Sequence, residues 1–277
     1  FLVNVTMYLN PELFGIPDGA TAIRIAFVTV AVWWAVFTIP LLLFVPEPAV
    51  PSPLPFAKAI RAGWAQLRNT LRDIKHFKQV GIFLIAYWFY IDGVDTIIRM
   101  AVDYGASLQF PSSSLIIALL IVQFVAFPAA LFYGWFGGRI GVKRALFVAI
   151  GAYSVITLLG FFMKEVWHFY ALAMMVGLFQ GGIQALSRSY YTRIIPENKS
   201  GEFFGFFNML GKFAAVLGPF MMGAVTVVTG SNRYGILSIL LLFIVGAIVL
   251  AKVDEDEGRR MAQELLAQME KEELRGT

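Results

Sequence analysis

Seven long apolar stretches constrain this chain more than any other feature of its sequence. Each is close to the length of about 20 residues that a helix needs to cross the hydrocarbon core of a bilayer. Hydrophobic residues make up 58% of the 277 residues and charged residues 14%, whereas a soluble domain has about 25% charged residues. The sequence therefore predicts an all-α polytopic membrane protein, with spans over 22–45, 79–100, 112–134, 145–163, 166–187, 203–228 and 234–251.

The breaks between these stretches divide the chain into segments. Residues 1–21 are predicted to be the end of a preceding span and an outer loop, and 46–78 a linker that begins with several prolines. Residues 79–251 then form a six-helix unit, followed by a tail over 252–277. The chain opens on Phe1 without an initiator Met or the pattern of a signal peptide, so we expect an N-terminally truncated chain.

Basic residues indicate how the spans are oriented, because short loops rich in Lys and Arg stay in the cytoplasm. Loops 46–78, 134–144 and 188–202, together with the tail, hold 17 of the 22 Lys and Arg residues, and the alternate loops hold 4. We therefore expect an integral membrane protein with a cytoplasmic C-terminus. The formal charge of +4 fits contact with anionic lipid and does not indicate a nucleic-acid partner.

Two segments outside the spans have helical patterns. Ile60, Trp64, Leu67, Leu71 and Ile74 follow one another at steps of four and three with basic residues between them, which is typical of an amphipathic helix in the membrane interface. Such a helix is structural or binds a specific lipid, and the sequence leaves both open. The acidic tail is predicted to be a solvated helix without chemistry of its own.

Polar side chains inside the spans are the candidate substrate or ion path. A charge deep in a membrane is costly, so it tends to face the bundle interior or water. The polar spans are the second, third, fifth and sixth, which suggests two three-helix units around a midplane site, as in secondary transporters, with the plain helices facing lipid. Interhelical hydrogen bonds are the alternative explanation for the amides. The candidates are Asp92, Asp95, Arg99, Gln123, Gln180, Gln184, Asn208 and Lys212.

Two acids and one base share a face of the span 79–100. At about 100° per residue, Asp92 and Arg99 lie within about 20° of each other, and Asp95 is one turn before Arg99. A pair between Asp95 and Arg99 would leave Asp92 as an unpaired carboxylate that pairs with Lys212 or binds a proton. The alternative is that Arg99 extends to the outer interface.

Glycines and a proline predict how two of the spans pack and bend. Gly218 is followed by Pro219, which removes a backbone hydrogen bond in mid-span and predicts a kink or hinge. Gly177 and Gly181 form a small-residue face that allows another helix to approach closely.

The loop after the third span carries a recognisable signature, since 134–144 reads Gly-Trp-Phe-Gly-Gly-Arg-Ile-Gly-Val-Lys-Arg. It resembles the loop signature of the major facilitator superfamily. Its glycines permit a tight turn, and its basic residues can bond the carbonyl ends of neighbouring helices and so favour one conformer. Gly138 stands where the family has an acid, so the carboxylate of the family's latch is missing here. The candidate gating residues are Gly134, Arg139, Gly141, Lys143 and Arg144.

Three further stretches, 92–98, 180–196 and 202–219, narrow the resemblance. They are similar to the branch of that superfamily related to the autophagy-linked vacuolar amino-acid effluxers, whose bacterial members are permeases. The resemblance covers nearly the whole chain. It implies that 22–45 is helix six, that 79–251 holds helices seven to twelve, and that most of the first half lies outside this chain.

The same resemblance implies a secondary active transporter that works by alternating access, here in a bacterial plasma membrane. Helices seven and ten would line the cavity with eight and eleven beside them, and these are the four polar spans. For an amino-acid substrate, Lys212 could bind the carboxylate and Asp92 or Asp95 the amine. The implied partners are the lipid bilayer, a small-molecule substrate with a proton as the candidate coupling ion, and the N-terminal half of the same chain.

Other classes of function have weaker support in the sequence. The absence of cysteine excludes thiolate metal sites and cysteine nucleophiles, and His76 and His168 have no partner at a useful spacing. We therefore expect no enzymatic activity, no cofactor and no metal. A non-transporting membrane scaffold or sensor is the main alternative to a transporter. An intramembrane lipid head-group enzyme, suggested only by Asp92-Gly93 followed by Arg99, is a weaker one.

Overall fold

The computed structural model describes residues 2–46, 55, 58, 60–65, 68 and 77–276, and most of them are helical. The chain forms two compact units, Phe1–Arg61 and Ala62–Thr277. The first unit contains α1 (Leu2–Leu9), a short 3₁₀ helix (Pro11–Phe14) and α2 (Gly19–Phe44). The second contains α3 (Lys78–Ser107), α4 (Ser112–Ile140), α5 (Val142–Phe161), α6 (Val166–Ile194), a 3₁₀ turn (Glu197–Lys199), α7 (Ser200–Phe213), α8 (Leu217–Thr229), α9 (Asn232–Ser238), α10 (Leu240–Ala251) and α11 (Glu255–Gly276).

Within the described ranges, seven helical stretches are long and apolar enough to cross a membrane. Each of the seven predicted spans overlaps one of them, so the all-α polytopic fold is confirmed. Most of the helices extend beyond the predicted spans, because the polar ends of a helix are not part of an apolar pattern. The predicted interfacial helix lies mostly outside the described residues, which include only 60–65 of it as a continuous helical piece.

In the first unit, α2 begins at a side-chain cap. The Asp18 carboxylate accepts a hydrogen bond of 2.6 Å from the backbone N–H of Thr21 and one of 3.2 Å from its hydroxyl. These bonds lower the pKa of Asp18. Met7, Ile16 and Ala22 form a small buried cluster, while most other side chains of α2 are exposed and apolar, which is typical of a helix that meets lipid.

Glycines of α6 bring its backbone close to α4. A Cβ atom on Gly177 would lie 2.9 Å from a carbonyl oxygen of α4, and one on Gly181 would lie 3.0 Å from the Cβ atom of Ala130. The ring of Tyr133 occupies the place of any side chain on Gly182. The predicted small-residue face is therefore a helix-packing surface.

α3 is the central helix of the second unit and contacts every helix that follows it. Gly93 lies against the ring of Phe243 on α10, and that ring stacks on Tyr153 of α5 with 5.7 Å between centroids. Tyr153 and Phe243 are fully buried. Two of the three spans without mid-span charges, α5 and α10, thus bury part of their surface in the core, so the expectation that the plain helices face lipid does not describe the whole of their surface.

Side chains satisfy the backbone carbonyl groups at the C-terminal end of α5. The Tyr104 hydroxyl donates to the carbonyl of Gly160 at 2.9 Å, and Arg233 donates to that of Phe161 at 2.7 Å. The last carbonyl groups of a helix have no partner within the helix. Residues from α3 and α9 therefore fix this end of α5.

The start of the acidic tail is docked rather than solvated. The Gln79 side chain accepts a hydrogen bond of 2.8 Å from the backbone N–H of Asp254 and donates one to Glu257. Arg193 lies 3.4 Å from Glu255. These contacts join the first turns of α11 to the ends of α3 and α6, which the sequence did not predict.

Replacing Gly182 with Ala is expected to destabilise the protein by about 1–3 kcal/mol, because the new Cβ atom would overlap the Tyr133 ring. Gly151→Ala in α5 is the matched control, since nothing lies within 4 Å of a Cβ atom there and Ala favours a helix by about 1 kcal/mol over Gly. The unfolding midpoint of each purified variant in detergent measures both effects. Equal midpoints for Gly182→Ala and wild type would contradict this packing.

Candidate functional site

A polar cavity of about 140 Å³ lies between α3, α6 and α7. Its walls carry charges of both signs and amide groups, although the helices themselves are largely apolar. Ile91 and Asp95 place it near the middle of the 30-residue helix α3. The lining residues are Tyr87, Ile91, Asp95, Arg99, Gln184, Arg188, Asn208, Gly211 and Lys212.

The spacing of these residues explains why they face one cavity. The four lining residues of α3 follow one another at intervals of four, so they form one stripe along the helix. Two residues of α6 and two of α7 repeat the same interval. The stripes are Tyr87, Ile91, Asp95 and Arg99; Gln184 and Arg188; and Asn208 and Lys212.

Asp95 is the acidic residue among the described lining residues, and it is partly buried. Arg99 and Lys212 both act electrostatically on its carboxylate. Within the described part of the chain, neither Arg99 nor Lys212 forms a salt bridge, which requires a side-chain nitrogen within 4.0 Å of a carboxylate oxygen. Charges of opposite sign thus lie near one another without direct contact, which leaves both accessible to a ligand.

Asp92 has a different environment, although only three residues separate it from Asp95. It is fully buried, and its two carboxylate oxygens accept hydrogen bonds from the backbone N–H groups of Leu217 at 3.0 Å and Gly218 at 2.8 Å. The Thr96 hydroxyl donates a longer bond of 3.3 Å. Asp92 is therefore not the unpaired carboxylate that the sequence predicted.

The donors to Asp92 are available because the span Ser200–Thr229 is broken. α7 ends, three turn residues follow, and α8 begins at Leu217. The first N–H groups of a helix have no partner within it, and Pro219 has no N–H in this first turn. At the predicted kink or hinge the structure has a break in the helix just before Gly218, and the Asp92 carboxylate caps the first N–H groups of α8.

Not all the predicted path residues meet at the polar cavity. Gln123 is exposed on α4. Gln180 lines a separate and almost wholly apolar cavity of about 80 Å³. There its side-chain oxygen is buried without a hydrogen-bond partner among the described residues. Five of the eight line the polar cavity: Asp95, Arg99, Gln184, Asn208 and Lys212.

The predicted gating loop forms the joint between α4 and α5. Gly141 has a φ of +90° and makes the turn between the two helices, a conformation that favours glycine. The Lys143 ammonium group donates to the carbonyl of Val253 at 2.6 Å and to that of Ala251 at 3.3 Å. Lys143 thus bonds the carbonyl end of a neighbouring helix, α10.

The other three predicted loop residues take separate positions. Gly134 and Arg139 belong to the last turns of α4, and the Arg139 guanidinium lies 4.5 Å from the ring centroid of Trp135. Arg144 is exposed in the first turn of α5.

The sequence patterns did not single out four of the lining residues: Tyr87, Ile91, Arg188 and Gly211. Arg188 falls in a loop by sequence because the apolar pattern stops there, whereas α6 continues to Ile194. Its spacing of four from Gln184 is the signal that could have found it. Tyr87 was missed because it packs against Gly211, which has no side chain to indicate a contact. A Cβ atom on Gly211 would lie 3.0 Å from the Tyr87 hydroxyl.

The chemistry of the cavity suits reversible binding of a small polar molecule. It offers one carboxylate that can bind a cation, three basic side chains that can donate hydrogen bonds to an anion, and two side-chain amides. In the ranges that the structure describes, no three His, Asp or Glu side chains come together as metal ligands.

Comparisons with known proteins give a consistent picture. The family model described as "Vacuole effluxer Atg22 like" matches residues 2–263. The chain is 36% identical over 265 residues to the uncharacterized MFS-type transporter YxiO of Bacillus subtilis. It is 28% identical to autophagy-related protein 22 of Yarrowia lipolytica over 284 residues and to that of Saccharomyces cerevisiae over 285 residues.

These relatives are longer than the chain. The matches cover 95%, 90% and 88% of this chain, but only 61%, 48% and 52% of the Bacillus, Yarrowia and Saccharomyces proteins respectively. The chain therefore spans about half to three fifths of the length of the relatives that it matches.

Asp92→Ala is expected to destabilise the protein by about 1–3 kcal/mol for each of the two N–H groups that lose their acceptor. Asp92→Asn keeps one acceptor oxygen, so its loss should be smaller. Asp103→Asn is the control, because Asp103 is exposed on the same helix and surface changes stay within about 0.5 kcal/mol. Denaturation of the purified proteins in detergent measures the order of their stabilities. An Asp92→Ala protein as stable as Asp103→Asn would contradict the capping role of Asp92.

Lys143→Met is expected to cost about 1–2 kcal/mol, because the carbonyl end of α10 loses a charged donor. Arg144→Met provides the comparison, since this neighbouring cation is exposed and should contribute little. The same unfolding assay reports both changes. A larger loss for Arg144→Met than for Lys143→Met would show that the carbonyl contacts do not stabilise this end.

Proposed function

This chain belongs to the family of Atg22-like vacuole effluxers, and we propose that it provides the C-terminal half of a secondary active transporter. That transporter carries a small solute, an amino acid, across a membrane by alternating access, with two halves rocking about a site between them. The observation that carries the proposal is the polar cavity, which holds a carboxylate, cations and amides half-way along apolar helices.

The cavity has complementary partners for both charges of an amino acid. Asp95 on α3 accepts the ammonium group, and Lys212 on α7 binds the carboxylate. The amides of Gln184 and Asn208 can donate or accept further hydrogen bonds. Because the two charges belong to different helices, a bound amino acid bridges α3 and α7 and couples binding to their relative position.

The break between α7 and α8 gives this half a joint for such a movement. Asn208 and Lys212 lie on the α7 side of the break, and Asp92 holds the α8 side to α3. Tilting α7 about the three turn residues would move the cation of the site while α8 stays fixed. Hinges of this kind absorb large changes in backbone angle within a few residues.

A proton is the candidate coupling ion, and Asp95 is the carboxylate to test first. Both oxygens of Asp92 accept backbone hydrogen bonds. Asp95 accepts none from the described residues and borders the cavity. A carboxylate that alternates between a wet and a dry environment can bind and release a proton during transport.

The proposed setting is a bacterial plasma membrane with a cytoplasmic C-terminus. The excess of Lys and Arg in alternate loops supports the orientation, and the relative from Bacillus subtilis supports a bacterial membrane. The remaining partners are the lipid bilayer and the N-terminal half that completes the site.

Uptake of labelled amino acids by the full-length protein in liposomes tests this function, with and without an inward proton gradient. We expect uptake by the wild type, and a loss of at least about tenfold in Asp95→Asn and Lys212→Gln, because each removes a charged hydrogen-bond partner. Stimulation of uptake by the gradient, lost in Asp95→Asn, is the result expected for proton coupling.

Asp103→Asn and Lys164→Gln are the charge-matched controls, because both residues are exposed and neither lines the cavity. They should transport at the wild-type rate. Wild-type rate and affinity in both Asp95→Asn and Lys212→Gln would contradict the site. The absence of flux for every amino acid would contradict the function.

A further inference from the structure

A buried hydrogen bond joins α3 to α6 beside the polar cavity. The Tyr90 hydroxyl oxygen lies 2.7 Å from that of Ser187, and both side chains are fully buried. Ser187 donates its own proton to the carbonyl group of Ile183 at 2.6 Å, so Tyr90 is the donor in the bond between the helices, since a serine hydroxyl has one proton. Within the described ranges, α3 and α6 share no other side-chain hydrogen bond.

Neither residue lines the cavity, but each is next to one that does. Tyr90 directly precedes the lining residue Ile91 on α3, and Ser187 directly precedes Arg188 on α6. Consecutive residues of a helix point about 100° apart, so the hydrogen bond lies at the height of the cavity but in the seam between the two helices. The Tyr90 ring also meets the ring of Tyr87, a lining residue, edge-on with 5.7 Å between centroids.

The seam between α3 and α6 changes at this bond. Towards the start of α3, the Phe83 ring packs on the rings of Tyr190 and Tyr191, with 4.9 and 5.9 Å between centroids. In the other direction, the apolar cavity of about 80 Å³ has residues of both helices in its walls, such as Ile97 of α3 and Val176 of α6. The hydrogen bond therefore lies where close packing gives way to a cavity.

A hydrogen bond at this point fixes the two helices more sharply than the contacts around it. Apolar contacts have no preferred direction, whereas a hydrogen bond weakens steeply as its angle departs from linearity. Gly246 of α10 also holds Tyr90 in place, because a Cβ atom on Gly246 would lie 2.9 Å from the Cβ atom and 3.0 Å from the backbone nitrogen of Tyr90. A satisfied buried polar pair of this kind specifies one arrangement of its helices.

We propose that Tyr90 and Ser187 are positioning residues of the binding site. Their hydrogen bond sets the rotation and height of α6 against α3, and thereby the position of Gln184 relative to Asp95. A rotation of about 20° would move the end of a side chain by about 2 Å at a helix radius of about 5–6 Å, whereas a binding site tolerates errors of about 0.5 Å. The inference rests on the proposed transport function and deepens it by naming residues outside the cavity that hold its geometry.

Tyr90→Phe removes the donor with little change in shape. In liposomes that contain the full-length protein, tested with labelled alanine, leucine, lysine and glutamate, it is expected to raise KM for the transported amino acid about fivefold or more. The value of kcat should change much less, because every group that lines the cavity is retained. Ser187→Ala should raise KM to a similar extent, and the double variant no further, since either change breaks the same bond.

Tyr104→Phe is the matched control. Tyr104 is buried on the same helix and donates one hydrogen bond to a neighbouring helix, at 2.9 Å to the carbonyl group of Gly160, but it does not line the polar cavity. It should lower the unfolding midpoint and leave KM unchanged. A Tyr90→Phe protein with a lower midpoint and the wild-type KM would show that the bond is only structural. Equal rises of KM in Tyr90→Phe and Tyr104→Phe would also overturn the inference.

A second measurement does not depend on transport. Spin labels on Ile85→Cys of α3 and Ala185→Cys of α6, both at exposed positions, report the distance between the helices by electron paramagnetic resonance. The chain has no cysteine, and any in the rest of the full-length protein is replaced first. The distribution of distances should broaden in Tyr90→Phe and stay unchanged in Tyr104→Phe. An unchanged distribution in Tyr90→Phe would overturn the positioning role.

The outcomes separate this inference from the proposed function. Flux of none of the four amino acids would overturn amino-acid transport, and the spin-label distances would still decide whether the bond positions α6. Wild-type transport together with an unchanged KM in Tyr90→Phe would overturn the positioning role and leave the proposed function intact.

Discussion

The hydrogen bonds from the start of α8 to Asp92 are the interaction on which the arrangement of this protein depends. A membrane offers no water to a broken helix, so backbone groups exposed by a break need partners within the protein. Asp92 supplies two acceptors from the middle of α3. The negative charge also suits the positive end of the helix dipole. Asp92, which the sequence suggested as part of a transport site, thus stabilises a discontinuous helix.

The cavity follows from that discontinuity. Because α7 ends before the middle of its span, Asn208 and Lys212 lie on a short helix that three turn residues separate from α8. The α3 stripe that ends in Asp95 and Arg99 meets α7 there, and α6 closes the third side. Asp92 and Asp95 therefore differ in their contacts: Asp92 accepts hydrogen bonds from the backbone of α8, and Asp95 borders the cavity.

Much of the fold could be predicted because a bilayer imposes strict demands on length and composition, which the seven spans meet. Five cavity residues could be predicted because charges and amides are rare in spans. The partner of Asp92 could not, since its donors are backbone groups 125 and 126 residues away that carry no sequence signal. Arg188 was missed because the apolar pattern of the predicted span ends at residue 187, whereas helix α6 continues to Ile194.

Gly218 leaves little room for substitution where α8 meets α3. A Cβ atom there would overlap the Thr96 hydroxyl and lie 2.8 Å from an oxygen of Asp92. Any larger residue would push α8 away from α3 and separate the N–H groups from their acceptor. A larger residue at Gly218 should therefore be tolerated only together with a smaller residue at Thr96. During evolution, the residues at this contact between α3 and α8 would therefore change together or stay unchanged.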